Sequence, residues 1–209
     1  MSTVVLSALA LASALLAIRA EHAGDRRSVY LFKPLTVLII ILIALGEKNV
    51  TAAAYRPLVV AGLVCSLAGD VFLMLPRDRF VAGLICFLLA HLCYVAAFTL
   101  DGGGRAWAAA AALALYGALM LRLLWTRLGG LKAPVLVYVA VILLMAWQAA
   151  SRWLEVGGAG GAAAFAGALL FVASDSALAW NRFRGGFPAA QAVVLGTYFA
   201  AQWLIALST

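Results

Sequence analysis

Two aspartates, Asp70 and Asp175, lie inside long apolar stretches of the sequence, where carboxylates are rare. An aspartate near the centre of a membrane helix costs about 2.5–3.5 kcal/mol on insertion scales, which is large against a folding stability of about 5–15 kcal/mol. Asp70 shares one side of its predicted helix with Gly62, Ser66 and Gly69, small residues that are typical of close helix packing. We therefore expect the carboxylates to face the inside of a helical bundle, as a functional pair or as groups that only hydrogen-bond a neighbouring helix.

A pair of buried carboxylates suits two kinds of chemistry. A protonated carboxyl can act as a general acid while an ionised partner stabilises a cation or activates water, as in glycosidases. Aspartates inside a membrane also serve as proton relays in carriers. The residues alone leave three possibilities open: an enzyme, a proton-coupled carrier of small solutes or lipids, and a non-catalytic scaffold.

Further polar side chains lie within the apolar stretches or at their ends, and His91 with Tyr94 and Tyr198 with Gln202 recur at helical spacing. They are Lys33, His91, Tyr94, Asn181, Tyr198 and Gln202. For Lys33, extension to the lipid headgroups and binding of a phosphate are both open, and His91 is either a buried hydrogen-bonded histidine or a ligand. The sequence has no HExxH or GxSxG motif, and His22 is the only other histidine, so we expect no metal and no other cofactor.

The composition indicates whether water or lipid surrounds the protein. Of 209 residues, 67% are hydrophobic and 11% are charged, with a mean hydropathy of +1.08. A soluble domain carries about a quarter charged residues, so lipid must cover most of this surface. The apolar stretches are continuous, which favours helices over the alternating strands of a barrel. The sequence predicts an all-α integral membrane protein with one transmembrane domain over residues 1–209, whose basic residues meet headgroups and not nucleic acid.

Eight apolar stretches are long enough to approach the roughly 20 residues of a membrane span. They are Thr3–Ile18, Val29–Leu45, Pro57–Leu75, Phe80–Leu100, Ala106–Leu124, Pro134–Ser151, Gly160–Trp180 and Phe187–Leu207. Basic residues follow the first stretch and none precedes it, so we expect a retained first helix and not a signal peptide. The second stretch is the weakest, because Lys33-Pro34 lies near its start.

The basic residues also predict an orientation in the membrane. Eleven of the 15 lysines and arginines fall in the odd-numbered connections or at the helix ends beside them. By the positive-inside rule, these connections are cytoplasmic and both termini lie outside the cytoplasm. Asp70 and Asp175 each come near the end of a helix, four helices apart. This spacing predicts a parallel four-plus-four repeat. If the two carboxylates share one site, helices three and seven must pack side by side, with the carboxyl groups within about 10 Å.

Short motifs in fixed order resemble the YhhN-like lysoplasmalogenase family of membrane proteins. The matching pieces are Lys33-Pro34-Leu35-Thr36, Ser66-Leu67-Ala68-Gly69-Asp70 with Leu73, Phe80 and Gly83 with His91 and Tyr94, Ser174-Asp175-Ser176 with Asn181, and Tyr198 with Gln202. They extend from about Lys33 to Gln202. The resemblance implies an eight-helix hydrolase of the plasma (inner) membrane that cleaves the vinyl-ether bond of lysoplasmalogens, which are lysophospholipids. The products would be a fatty aldehyde and a glycerophospho-alcohol.

This reaction agrees with the residues. Vinyl-ether hydrolysis is limited by protonation of an alkene carbon, which gives an oxocarbenium ion that water attacks, and two carboxylates supply the acid and the anion. We expect Asp70 and Asp175 to be catalytic, in an order that the sequence does not fix. His91 and Tyr94 would lie deeper, to position water or line a tunnel for the alkyl chain, and Lys33 is the candidate for the substrate phosphate. Asn181, Tyr198 and Gln202 complete the expected substrate contacts.

Overall fold

The computed structural model describes residues 2–46, 52–100 and 104–209, and these contain eight helices long and apolar enough to cross a membrane. The helices are α1 Thr3–Ala23, α2 Arg26–Gly46, α3 Tyr55–Met74, α4 Phe80–Thr99, α5 Trp107–Leu124, α6 Lys132–Val156, α7 Gly158–Phe183 and α8 Ala190–Leu207. Two short 3-10 turns, Trp125–Arg127 and Gly129–Leu131, follow α5. The prediction of an eight-helix, multi-pass membrane protein is confirmed.

The second helix, α2, runs through the Lys33-Pro34 pair that made its stretch the weakest in the sequence. Pro34 lies in the third turn, where a proline normally removes a hydrogen bond and distorts the helix. Two residues before the proline, the carbonyl oxygen of Phe32 accepts hydrogen bonds from the hydroxyl groups of Ser13 and Thr36 at 3.1 and 2.8 Å. Ser13 belongs to α1, so the first helix holds α2 in place beside the proline.

Six helices close into a ring in the order α2, α3, α4, α6, α7 and α8. Outside the ring, α1 packs against α2 and α8, and α5 packs against α6 and touches α7. The prediction that α3 and α7 pack side by side is wrong. The two helices face each other from opposite sides of the ring. The neighbours of α3 are α2 and α4, and those of α7 are α6 and α8.

The helix neighbours of the two halves are alike. The most extensive contacts join α3 to α4 in the first half and α7 to α8 in the second. Gly62 and Gly167 lie in these two interfaces, 105 residues apart, and Asp70 and Asp175 are separated by the same number. A side chain at Gly62 would meet the ring of Tyr94, and one at Gly167 would meet α8. This agreement is what a four-plus-four repeat predicts; the repeat itself stays a prediction.

Candidate active site

A cavity of about 600 Å³ opens at the end of the ring where α3 and α7 end and α4 and α8 begin. We call it the polar cavity. Five of the eight residues predicted from the sequence line it, namely Lys33, Asp70, Asp175, Asn181 and Tyr198. Both aspartates therefore reach the same space, although their helices stand on opposite sides of the ring.

Asp70 is a fully buried carboxylate with two donors. The Lys33 ammonium nitrogen lies 3.0 Å from Oδ1 of Asp70, and the Tyr198 hydroxyl donates to Oδ2 at 2.6 Å. The Asp70 side chain is 2% exposed and that of Lys33 is 11% exposed. A buried carboxylate is tolerated when it is paired and hydrogen-bonded. The ammonium group of Lys33 is thus engaged by Asp70 at the wall of the polar cavity, and its contact with a substrate phosphate stays a prediction.

Asp175 is partly buried and has a different partner. The Tyr138 hydroxyl of α6 donates to Oδ2 of Asp175 at 2.5 Å. Among the described residues, no lysine or arginine forms an ion pair with this carboxyl. The two carboxyl groups of the cavity consequently differ in charge environment: Asp70 has a cation beside it, and Asp175 has a neutral hydroxyl.

An aromatic layer forms the floor of the polar cavity. The rings of Phe87, Phe171 and Tyr198 meet edge to face with centroids 5.5–6.3 Å apart. Beneath them, His91 is completely buried, with its ring 4.6 Å from that of Phe171 and 5.2 Å from that of Tyr138. Neither ring nitrogen of His91 has a hydrogen-bond partner among the described residues. Of the two roles that the sequence left open for His91, the buried hydrogen-bonded histidine therefore does not agree with the structure.

Tyr94 and Gln202 also belong to this deeper layer. The Tyr94 hydroxyl donates to Oε1 of Gln202 at 2.7 Å, and both side chains are buried. Together with His91, they do not line the polar cavity. Three of the predicted substrate contacts therefore lie beneath the floor, as the sequence predicted for His91 and Tyr94 but not for Gln202.

A second, apolar cavity of about 80 Å³ lies between α4, α5, α6 and α7. We call it the apolar groove. Its lining includes Leu84 from α4, Met120 from α5 and Ile142 from α6. Asp175 lines both the apolar groove and the polar cavity. This carboxyl therefore stands where a polar space and an apolar space meet.

Arginines surround the mouth of the polar cavity. Arg26, Arg77, Arg79 and Arg182 all line it. Arg182 forms a 2.5 Å ion pair with Asp78, and the hydrogen bond from its guanidinium lowers the pKa of the Asp78 carboxyl. Guanidinium groups match phosphate oxygens in geometry and charge. The sequence had marked these residues only as indicators of topology, and in the structure they give the rim a net positive charge, although Glu21 and Asp78 also line the cavity.

Tyr138 is the site residue that the sequence analysis missed. A tyrosine within an apolar stretch is ordinary, so its type gave no signal. Its position was a signal, because Tyr138 precedes Asp175 by 37 residues and Lys33 precedes Asp70 by the same number. In both halves, the donor to the carboxylate comes from the preceding helix at the same offset.

The described residues hold no group of three or more His, Cys, Asp or Glu side chains close enough to share a metal ion. The donors around the aspartates are instead an ammonium group and two phenols. This set favours proton transfer and anion stabilisation by the protein's own side chains.

Comparison with known proteins places the chain in a family. It is 34% identical over 197 residues to the uncharacterized membrane protein YhhN of Escherichia coli, covering 94% of each chain. The human lysoplasmalogenase TMEM86A is 33% identical over 84% of this chain and 74% of its own, and human lysoplasmalogenase TMEM86B is 38% identical over 75% and 65%. No solved structure matches the chain. The profile of the YhhN family matches residues 28–209, and the chain belongs to this family.

Proposed function

We propose that this protein is a membrane hydrolase that cleaves the vinyl-ether bond of lysoplasmalogens into a fatty aldehyde and a glycerophospho-alcohol. The observation that carries the proposal is the position of Asp175 on the wall shared by the polar cavity and the apolar groove. The relatives named lysoplasmalogenases, at 33–38% identity, support the same reaction class.

The substrate has the same two-part character as the site. A lysoplasmalogen joins one alkyl chain to a glycerophospho headgroup through an O–CH=CH unit. With the headgroup in the polar cavity, its phosphate reaches the arginine rim, of which Arg77 and Arg79 have no acidic partner among the described ion pairs. With the chain in the apolar groove, the vinyl-ether unit lies at the junction beside Asp175.

The charge environments suggest the division of roles between the carboxyls. Asp70 is paired with Lys33 and accepts from Tyr198, so we assign it as the ionised member. Asp175 has no cation beside it and faces the negative charge of Asp70. A proton on Asp175 removes the cost of a second, uncompensated charge in the same site. We assign Asp175 as the general acid and Asp70 as the anion and general base.

The proposed reaction conserves atoms and protons. Asp175 transfers its proton to the alkene carbon next to the one bonded to oxygen, which gives an oxocarbenium ion that the Asp70 carboxylate stabilises. Water attacks the oxygen-bearing carbon while Asp70 takes a proton from it, and a hemiacetal results. The hemiacetal collapses as the glycerol oxygen receives the proton from Asp70, and the hemiacetal hydroxyl returns its proton to Asp175. One substrate and one water molecule give one aldehyde and one alcohol.

The other residues have supporting roles in this proposal. Lys33 and Tyr198 keep Asp70 ionised and oriented, Tyr138 orients Asp175, and Asn181 contacts the headgroup from the cavity wall. His91, Tyr94 and Gln202 support the aromatic floor, so they would affect the reaction through the position of the aromatic rings and not by contact with the headgroup.

The site would face the cytoplasm in the plasma (inner) membrane. The cavity mouth is surrounded by arginines that belong to the odd-numbered connections, which the positive-inside rule assigns to the cytoplasmic side. The substrate would come from the cytoplasmic leaflet.

The carrier alternative receives no support from a specific feature. A carrier needs a path from its binding site to each side of the membrane. Here, the packed layer of Phe87, Phe171, His91 and Tyr94 lies beneath the cavity and is buried. We therefore keep the hydrolase as the single proposed function.

The decisive experiment measures aldehyde release by the purified protein in detergent. Vinyl-ether, alkyl-ether and acyl lysophospholipids are compared side by side, and only the vinyl ether should give aldehyde. Asp70→Asn and Asp175→Asn should each reduce turnover at least about 100-fold, the lower end for general acid–base catalysis. The double variant should be little worse than either single one, because groups that act as a unit are not additive.

Asp25→Asn is the matched control. Asp25 is an exposed aspartate that accepts hydrogen bonds from Arg27 and Ser28 at the start of α2, and it does not line the cavity. This variant should keep full turnover. Normal turnover in both site variants would refute the paired-carboxyl mechanism. Gradient-driven solute uptake into liposomes, without aldehyde release, would identify a carrier instead.

A further inference from the structure

The fifth helix, α5, is the least enclosed of the described helices. Only Gly117 and Leu124 of its residues are buried. It packs against α6 and touches α7, whereas α4 packs against α3 and α6. Among the described helices, α4 and α5 are therefore separated by a gap with α6 behind it, and this gap faces the lipid.

The apolar groove occupies this gap. Leu84 of α4 and Met120 of α5 line it from the two sides, and Leu143 of α6 lies at its back. Gly117 allows α5 to come this close to α6, because a Cβ at this position would collide with the Leu143 side chain. The groove is thus narrow at the back and apolar on its walls.

The groove ends at the candidate acid. Tyr116 of α5 donates a 2.7 Å hydrogen bond to the hydroxyl of Ser176, the residue after Asp175. This bond links α5 to α7 at the point where the groove meets the polar cavity. An alkyl group in the groove would consequently lie with one end at the Asp175 carboxyl and its length along α4 and α5.

We propose that the groove between α4 and α5 is the binding site of a single unbranched alkyl chain, which enters sideways from the bilayer. This proposal rests on the proposed function in one respect: it takes the polar cavity as the binding site of the lipid headgroup. The groove volume of about 80 Å³ takes the few carbons next to Asp175, and the rest of the chain lies along the outer side of α4 and α5. Leu84 and Met120 then set the width of the entrance.

A larger apolar groove on another face does not fit this ligand. It measures about 450 Å³ and lies between α1, α2 and α8, with Leu15, Ile40 and Trp203 among its lining residues. None of its lining residues also lines the polar cavity. A chain bound there could not belong to a lipid whose headgroup contacts the arginine rim.

The test uses a ligand that cannot be cleaved, a lysophospholipid with a 16-carbon alkyl-ether chain. Its affinity is measured for the full-length protein and for Met120→Trp and Leu84→Trp, which narrow the groove from either side. Each variant should bind about tenfold more weakly, the scale expected for overpacking an apolar site. The matched controls are Leu119→Trp and Ile85→Trp, neighbouring residues that are 53% and 52% exposed and do not line the groove. These controls should bind like the parent.

A second measurement needs no substitution in the groove. The same lipid, carrying a diazirine in its chain, is photolysed on the unaltered protein, and the labelled peptides are identified with and without excess unlabelled lipid. Competed label on α4 and α5 supports the proposal. Competed label confined to α1, α2 and α8, or equal weakening in variants and controls, overturns it.

The outcome is separable from that of the proposed function. If the lipid binds in this groove and no vinyl ether is cleaved, the hydrolase proposal fails and the chain site stands. If aldehyde is released and the label lies elsewhere, the chain site fails and the hydrolase proposal stands.

Discussion

The Lys33–Asp70 ion pair predicts how stability should depend on pH when the cation is removed. Lys33→Met keeps a long apolar side chain but removes the ammonium group that lies 3.0 Å from the Asp70 carboxylate. The Asp70 side chain is 2% exposed, and without the ammonium group the Tyr198 hydroxyl is its one remaining donor among the described residues. Breaking a buried pair by removing one member costs about 3–5 kcal/mol.

Proton uptake limits this cost. An aspartic acid with an ordinary pKa of about 3.9 can be held protonated at pH 7 for about 4 kcal/mol and at pH 5 for about 1.5 kcal/mol. The loss in free energy of unfolding should therefore not exceed about 4 kcal/mol at pH 7 and about 1.5 kcal/mol at pH 5. The sign follows because the folded variant holds a proton that its unfolded chain lacks. Raising the pH from 5 to 7 therefore destabilises the variant relative to the parent.

The measurement is unfolding by SDS in mixed micelles, at pH 5, 6 and 7, of the parent and of Lys33→Met, Asp70→Asn and the double variant. Asp70→Asn should cost less than Lys33→Met, because the lysine side chain is 11% exposed and can move its ammonium group to the cavity. The double variant should lie within about 1 kcal/mol of the parent, since both charges are then absent.

Two results would refute this reasoning. The first is a Lys33→Met penalty that is equal at pH 5 and pH 7, which would show that the lysine acts through packing alone. The second is a double variant at least as unstable as Lys33→Met, which would show that the two residues are not coupled. Either result would also remove the argument that Asp70 is the ionised member of the carboxyl pair.

Four further outcomes are expected. Gly167→Ala should lower the free energy of unfolding by about 1–3 kcal/mol, because its Cβ would lie 2.9 Å from the Ala201 carbonyl oxygen; Gly196→Ala, which has no neighbour within 4 Å, is the control and should be neutral or slightly stabilising. His91→Phe should leave stability unchanged or raise it in the same titration, since it removes two unpaired ring nitrogens, and a large loss would contradict the described surroundings. Chelators should leave aldehyde release unchanged. If chelation abolished aldehyde release and one specific metal restored it, the roles assigned to the aspartates would be wrong. A reporter protein that is active only in the cytoplasm should show no activity when it is fused at Thr209. Reporter activity would mean that the C-terminus is cytoplasmic and that the predicted topology is wrong.

The helices could be predicted because long apolar stretches separated by polar breaks are sufficient to define membrane spans. Their ends could not be predicted as well. α6 was expected over Pro134–Ser151 and runs over Lys132–Val156. Hydropathy falls at Arg152 and Glu155, whereas the backbone hydrogen bonds of the helix continue past them.

The site was predictable where residue types were out of place and not where they were ordinary. Asp70 and Asp175 are charged residues in apolar stretches, so their cost alone indicated a role. Tyr138 costs nothing in such a stretch and remained unnoticed. The placement of α3 and α7 on opposite sides of the ring was also not predicted, because helical periodicity identifies the buried side of a helix and not its neighbouring helices. The equal spacing of Lys33–Asp70 and Tyr138–Asp175 was the one signal in the sequence that could have found the second donor.

The junction at Asp175 has a consequence for what leaves the site. One opening, rimmed by arginines, leads to water, and the other, between α4 and α5, leads to the hydrocarbon of the bilayer. In the proposed reaction, a lipid cut at this junction would give one product soluble in each phase, and each would have its own exit. The aldehyde would dilute into the membrane and the glycerophospho-alcohol into the aqueous compartment, so the products would separate as they form. Recombination would then require both to return to one site from different phases, which makes the cut effectively one-way.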